Sequence, residues 1–542
     1  MPFGVDAATS HDYLLAFPCG AVASLDGGKS NMIVEILSWF LGIFTSPVNV
    51  LILLVVFLVA YGLLNLRPPS GFPPGPMGYP FIGNMLDLAT NPHIKFMQYA
   101  NQYGDVITIK VGTSNYVVLN TIEVINEALV KKQNDFAGRT SHYSENLFSE
   151  NGENIISGDF TPKWKFLRKV GHQAIRNYAS GEKLEDLVRH EAFPRLQKAV
   201  ADKNGEPFYP KPLLYFMVAN IIATMCFGQK YELDDPELKE ILKMIDDAKE
   251  SIGNGLVADF IPIFQYIPTS GIRAVKSMMA TWHGLIQRKV TAHKDKFNKD
   301  NPEVHDLIDD LLKIQNEAKI AGEDQADKLT DVNLRQTVSD IFGAGLDTTT
   351  NTFDWCIAFL ACYPDVQTKV QNEIDDVIGL DRLPLLSDKG KLPYCDAVIH
   401  EVMRIRTVAP FAAPHKTCCD TSVGGYNLPK DTMVFLNLWN VHMNDKHWDN
   451  PGEFRPERFL DTDGKALPKP ESFLPFSAGR RVCLGEVLAK SEMFLVFICL
   501  FQHYTFKVAP GKEKPDLNPC VDDLIVRCRP YNVVAHPRKG TD

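Results

Sequence analysis

Nowhere in the 542 residues is lysine and arginine dense enough to track a phosphate backbone, and 56 basic against 66 acidic side chains leave a net charge of −10. Nucleic acid is therefore excluded as a natural partner. Cysteine is sparse: eleven residues with no Cys-x-x-Cys pair, no zinc spacing even at adjacent Cys418 and Cys419, and nothing like the density of a disulfide scaffold. That usage fits a reducing compartment. No Gly/Ser-rich or strongly charged linker divides the chain beyond a proline cluster near residue 70, so one large domain accounts for most of its length. Between Glu35 and Arg67 charge is missing altogether.

That uncharged stretch ends in a run, Val48 to Leu66, that is almost wholly apolar. About 20 apolar residues in a helix cross a bilayer's hydrocarbon core, so 48–66 is expected to be a transmembrane anchor behind an N-terminal extension, 1–47. A cleaved signal peptide would begin with basic residues, whereas Asp6, Asp12 and Asp26 stand here against Lys29 alone. Ile36 to Phe44 reads as an interfacial segment, since Pro47 interrupts a continuous helix. Arg67 on one side and Lys29 on the other are too even for the positive-inside rule to set the orientation. A stiff proline-rich hinge, 67–84, follows, with Pro73-Pro74-Gly75-Pro76 and then Gly83-Asn84.

From 85 to 542 the pattern is mainly α. A helix near Pro92 to Tyr103 precedes strands at Asp105 to Val111 and Tyr116 to Leu119. Helical periodicity then covers Glu182 to Ala201, Lys211 to Phe227, Pro236 to Ser251, Ile272 to Phe297, Thr330 to Cys362 and Pro364 to Ile378, with a few short strands near Thr417 to Val434 and Tyr504 to Val534.

The stretch around which the chain is organised is Phe476-Ser477-Ala478-Gly479-Arg480-Arg481-Val482-Cys483-Leu484-Gly485, followed by helix-forming residues from Glu486. A cation two residues before Cys483 and a helix N-terminus after it are features that lower a thiol's pKa. The pattern Phe476-x-x-Gly479-x-Arg481-x-Cys483-x-Gly485 resembles in full the haem-binding signature of the cytochrome P-450 family, the haem-thiolate monooxygenases. The resemblance implies the family's fold, a long central helix over haem b with small β-sheets, and Cys483 as axial ligand of the iron. It also implies that Phe476 and Arg481 lie in the haem site. The proline run, too, resembles the hinge of microsomal members, which hold the N-terminus in the lumen and the catalytic domain in the cytosol.

Trp164 and Arg168, four apart on a helix begun at Thr161-Pro162, would by themselves be a surface cation on an aromatic neighbour. By resemblance they reach the haem propionates, as do Arg139 in Phe136-Ala137-Gly138-Arg139 and His415 in Pro414-His415-Lys416. Glycine and threonine are poor choices inside a helix, yet Thr330 to Cys362 carries Gly343-Ala344-Gly345-Leu346-Asp347-Thr348-Thr349-Thr350 at its middle. Tight packing on a neighbouring helix would explain it. So would a groove opened by threonines bonding back to the preceding turn. The segment resembles the family's oxygen-binding motif, which makes Thr348 and Asp347 the proton-delivery pair. Asp340, Ala344 and Thr348 share one face; Ala344 leaves room over the haem, and Asp340, with Val408 and Ala409, is a candidate substrate contact. Glu401 and Arg404 are by resemblance joined with Arg458 in a buried structural network behind the cysteine loop.

The implied reaction is insertion of one oxygen atom of O2 into an apolar, lipophilic small molecule. Its electrons come from NADPH through NADPH-cytochrome P-450 reductase, with cytochrome b5 as a further partner, at the endoplasmic reticulum membrane. Phe342-Gly343-Ala344-Gly345, Val408-Ala409-Pro410 and Asn437-Leu438-Trp439 look closest to steroid 17α-hydroxylase/17,20-lyases, with aryl-hydrocarbon hydroxylases next. Hydroxylation of aromatic xenobiotics or fatty acids is the alternative. A haem-thiolate isomerase would not need the Asp347-Thr348 pair, and a haem carrier or sensor would not need the pocket helix.

Overall fold

The computed structural model describes residues 38, 47–64, 66, 68–179, 182–252, 255–320, 328–519 and 525–538. The chain divides into two units, Met1–Asn65 and Leu66–Asp542. In the first, helix α1 (Pro47–Leu64) is apolar and uncharged. Its 18 residues reach about 27 Å at 1.5 Å each, short of a hydrocarbon core of about 30 Å. Among the described residues no helix is long and apolar enough to cross a membrane. The transmembrane helix expected over 48–66 is thus not shown. Apart from Ser38 and Pro47, the extension 1–47 and its interfacial segment lie outside the described residues.

In the second unit the proline-rich stretch lies against an edge strand. The N–H of Thr108 donates to Pro74 O at 2.8 Å, and that of Lys110 to Asn84 Oδ1 at 3.0 Å. Prolines suit this position, since an edge must be covered without offering new donors. After helix α2 (Pro92–Tyr103), strands β1 (Val106–Val111) and β2 (Ser114–Leu119) form an antiparallel pair. β3 (Gly138–Arg139), β4 (His415–Lys416), the hairpin β5 (Thr421–Val423) and β6 (Tyr426–Leu428), and β7 (Met433–Leu436) come from distant parts of the chain. The main sheet runs β1-β2-β7-β4-β3. β8 (Tyr504–Val508) and β9 (Val533–Pro537) pair separately.

Helices make up the rest: α3 (Tyr143–Ser149), α4 (Pro162–Ala179), α5 (Lys211–Phe227), α6 (Pro236–Ile252), α7 (Ser270–Lys294), α8 (Asp331–Cys362), α9 (Pro364–Val377), α10 (Pro393–Ile405) and α11 (Glu486–His503) are those that build the core and the site. The helix expected over 182–201 is broken. Helical turns at Glu182–Leu187 and Phe193–Ala201 flank a wide π-turn, Val188–Ala192. Pro194 has no N–H to give the preceding turn, which loosens the ladder there.

Helix α8 is the axis of the fold. Thr330 and Asn333 cap its start reciprocally, at 3.3 and 3.1 Å, and it ends where Pro364 begins the next helix. α5, apolar on every side, packs along it. A Cβ at Gly345 would stand 3.2 Å from Ile222 of α5, and one at Gly343 3.3 Å from Trp282 of α7. Those two glycines are thus explained by helix packing, while Ala344 between them faces the cavity.

Candidate active site

A cavity of about 320 Å³ lies beside α8, lined by Ala344 and Thr348 of that helix and by Cys483 and Gly485 of the loop before α11. The loop holding Cys483 is a tight turn: its N–H donates to Phe476 O at 3.0 Å, and Phe476 also lines the cavity. Gly479 has φ +72°, and a Cβ there would lie 2.0 Å from Leu129 O, so only glycine fits. At Gly485 a Cβ would meet nothing within 4 Å. Open space beside Cys483 is what a flat group lying on this loop would fill.

The thiol itself departs from expectation. Arg481 was expected to favour the thiolate, yet its guanidinium turns away, donating to Ala137 O at 2.7 Å, Ile155 O at 3.3 Å and Gly158 O at 2.7 Å. Burial raises the Cys483 pKa, against downward pulls from the Gly485 N–H, Arg168 and Lys490. Its side chain is accessible, but to the cavity. A thiolate in so enclosed a place requires a metal cation to hold it, and iron bound to the sulfur would supply that charge.

At the cavity's edge the positive residues converge. In the sheet Arg139 pairs with His415 across β3 and β4, which makes them neighbours despite the distance between them in sequence. Arg139 donates to Ile156 O, Ala413 O and Pro414 O at 3.0–3.1 Å, and Arg168 donates to Val482 O. The Arg481 guanidinium carbon lies over Trp164, 3.7 Å from the ring centroid. Burial, then Arg139 and Arg168, push the Arg481 guanidinium down to about 8. Among the described residues none of these arginines has a carboxylate within ion-pair distance. Such uncompensated buried charge fits the two carboxylates of haem. Two expectations change in detail. His415 is kept neutral by burial and by Arg139, its Nδ1–H donating to Phe136 O at 2.7 Å, so it offers hydrogen bonding and no charge. Trp164 lies behind the wall, its indole N–H on Ile155 O at 2.8 Å.

On α8 the Thr348 hydroxyl donates back to Ala344 O at 2.8 Å, and Thr350 and Thr352 repeat the pattern. Asp347 points away from the cavity. It accepts from Tyr215 Oη, from Arg527 at 3.0 Å and from Asn351 at 2.9 Å. Asp340 is buried, and burial raises its carboxyl to about 7 against the pull of three donors: Asn154 Nδ2 at 2.9 Å and the N–H groups of Ile155 and Ile156 at 2.7 and 3.1 Å. The substrate contact expected of Asp340 would have to displace those bonds. Asp340 nevertheless lines the cavity, as do Ala344, Val408 and Ala409.

Behind the cysteine loop Glu401, Arg404 and Arg458 form a buried triad. Arg404 meets both Glu401 oxygens at 2.7 and 2.8 Å, and Arg458 meets one at 2.9 Å. Arg404 continues to His442 O at 2.8 Å, and His442 Nε2 accepts from the N–H of Leu474, nine residues before Cys483. His442, Tyr215 and Arg527 are thus site-supporting residues that sequence reasoning missed. No local motif marks them, because each meets its partner from a distant part of the chain.

The family model described as Cytochrome P-450 matches residues 73–534. Cytochrome P-450 1A1 of Rattus norvegicus is 36% identical over 510 residues, covering 90% of this chain and 96% of that one. Steroid 17-alpha-hydroxylase/17,20 lyase of Ictalurus punctatus is 36% identical over 494 residues, 88% and 94% of the two chains. A solved zebrafish cytochrome P-450 with progesterone superposes at a TM-score of 0.73 with 34% identity, over 82% of this chain and 99% of that one. Motif, cavity and likeness along nearly the whole chain agree: it belongs to the cytochrome P-450 family, monooxygenases that hold haem b by a cysteine thiolate and draw electrons from NADPH through a reductase.

Proposed function

We propose that this chain hydroxylates a steroid or a comparably flat lipophile, with 17α-hydroxylation as the leading regiochemistry. The observation that carries the reading is that Cys483, Ala344 and Thr348 line one apolar cavity together with arginines that, among the described residues, have no carboxylate partner. Identity to steroid 17α-hydroxylases and to a zebrafish protein solved with progesterone supports the substrate class.

Haem bound in this cavity would be held by the Cys483 thiolate, with Phe476 beside it, and Arg139, Arg168 and Arg481, with His415 as a neutral donor and Trp164 supporting Arg481, would meet its carboxylates. The chemistry such a haem would supply is dioxygen activation, in which O2, two electrons and two protons convert a substrate C–H into C–OH and leave one water. Thr348, its own proton given to Ala344 O, keeps its oxygen as an acceptor that orients a water in the cavity. Asp347, held on the far side by Tyr215 and Arg527, passes protons from solvent. Ala344, Val408 and Ala409 bound the substrate. Glu401, Arg404 and Arg458 fix the loop.

The domain over 85–542 is catalytic and cytosolic, the hinge 67–84 holds it, and the apolar segment 48–66 anchors it in the endoplasmic reticulum membrane. NADPH-cytochrome P-450 reductase is the electron donor and cytochrome b5 an accessory. Reduced protein under carbon monoxide should show the thiolate-haem band, and Cys483→Ser should remove it; an unchanged band ends the assignment. With reductase present, progesterone or pregnenolone should shift the iron spin state and be hydroxylated. Failure of both would hand the substrate to the aromatic or fatty-acid alternative.

A further inference from the structure

The loop between α3 and α4 has no regular structure, yet at Ile155–Ile156 every backbone polar group is bonded. Both N–H groups donate to one oxygen of Asp340 on α8, at 2.7 and 3.1 Å, while Asn154 Nδ2 donates to the other at 2.9 Å. The Ile155 carbonyl accepts from Trp164 at 2.8 Å and Arg481 at 3.3 Å, and the Ile156 carbonyl from Arg139 at 3.0 Å. Asn154 is itself fixed, its Oδ1 accepting from the N–H of Ser157 at 3.0 Å. The dipeptide is therefore pinned between the central helix and the arginine cluster, and both isoleucine side chains form cavity wall. Asn154 does not line the cavity.

We propose that Asp340, although it reaches the cavity's lining, is a positioning residue: by holding Ile155 and Ile156 it fixes one wall of the cavity, and so sets which lipophiles fit through the loop and not through a bond of its own to them. The inference rests on this cavity being the substrate site. A buried carboxylate already accepting three bonds is a poor partner for a mobile ligand, but it is a strong clamp on a loop that has no ladder of its own.

Two routes to the same loss separate clamping from contact. Asn154→Ala removes a donor outside the cavity. Asp340→Asn keeps an acceptor for the backbone pair but turns its NH2 toward that of Asn154. Combining Asp340→Asn with Asn154→Asp restores donor to acceptor with the roles exchanged. The holoenzymes would be titrated with imidazole, too small to reach the wall, and with clotrimazole, bulky enough to press on it, each read by the haem absorption shift. Exchange of the peptide 152–160 would be followed by mass spectrometry.

In both single variants exchange should quicken about tenfold. The clotrimazole-to-imidazole affinity ratio should move by about threefold or more. The double variant should return both toward wild type. Unchanged exchange in both single variants overturns the proposal. So does a ratio that moves for Asp340→Asn but not for Asn154→Ala and stays displaced in the double variant, which would mean that Asp340 meets the ligand directly. An absent haem shift in wild type would count against the monooxygenase site, while the exchange comparison would still test the clamp.

Discussion

Arg404 and Arg458 share the carboxylate of Glu401 behind the cysteine loop, whereas the guanidinium groups of Arg139, Arg168 and Arg481 at the cavity donate, among the described residues, only to backbone carbonyls. All five are wholly or largely enclosed by protein, so exposure does not separate them. A carboxylate partner does. In the triad both guanidinium groups meet Glu401, so although one positive charge is left over each cation has an anion beside it, while the rim cluster has none and calls for one. Burial alone therefore says little about an arginine's task; its partners say more.

Glu401→Ala should break this comparison most visibly. It strands two buried guanidinium groups, and a loss of about 3–5 kcal/mol is expected, read as a large fall in melting temperature or in folded yield. Arg481→Leu should do the reverse. The haem-free protein should melt within a few degrees of wild type, while haem passes to apomyoglobin about tenfold faster, a cost of about 1.4 kcal/mol in retention. Equal melting losses in the two variants would erase the distinction.

A buried carboxyl that stays neutral sharpens it. Glu492 on α11 lines the cavity with neither carboxylate oxygen hydrogen-bonded among the described residues, and burial lifts its carboxyl to about 8. Between the unfolded pKa near 4.5 and that value, the folded state keeps a proton that the unfolded chain releases, so stability is lost as pH rises through the interval. Glu492→Gln should remove that slope, gaining on wild type from pH 5 to pH 8 in denaturant titrations; parallel curves would refute it. The smallest effect is expected at Tyr215→Phe, which takes one of several donors from Asp347 and should cost about 1 kcal/mol in the same titrations.

The cysteine loop, the Gly343–Thr350 motif and the Glu401–Arg404 pair were legible because each is local: fixed spacings on one turn or one helix carry the signal. Helix periodicity likewise placed α5, α8 and α9 within a residue or two. The break at Val188–Ala192 was less visible, since one proline decides whether a periodic run stays regular. Arg481 lines the cavity but is not aimed at Cys483, because the carbonyls that take its guanidinium arrive from 137, 155 and 158.

By itself, then, the order of residues determined the chemistry this protein carries, a thiol on a tight loop and an acid-alcohol pair on a long helix, since both are written within a few consecutive turns. Only the tertiary structure decided how that chemistry is enclosed: Arg139 beside His415 across a strand pair, Asp347 between Tyr215 and Arg527, Asp340 turned onto the 154–156 loop. The reason is physical. Those bonds join groups separated by more than a hundred residues, and which donor reaches which acceptor is fixed by helix and strand packing, for which no spacing along the chain stands as a sign.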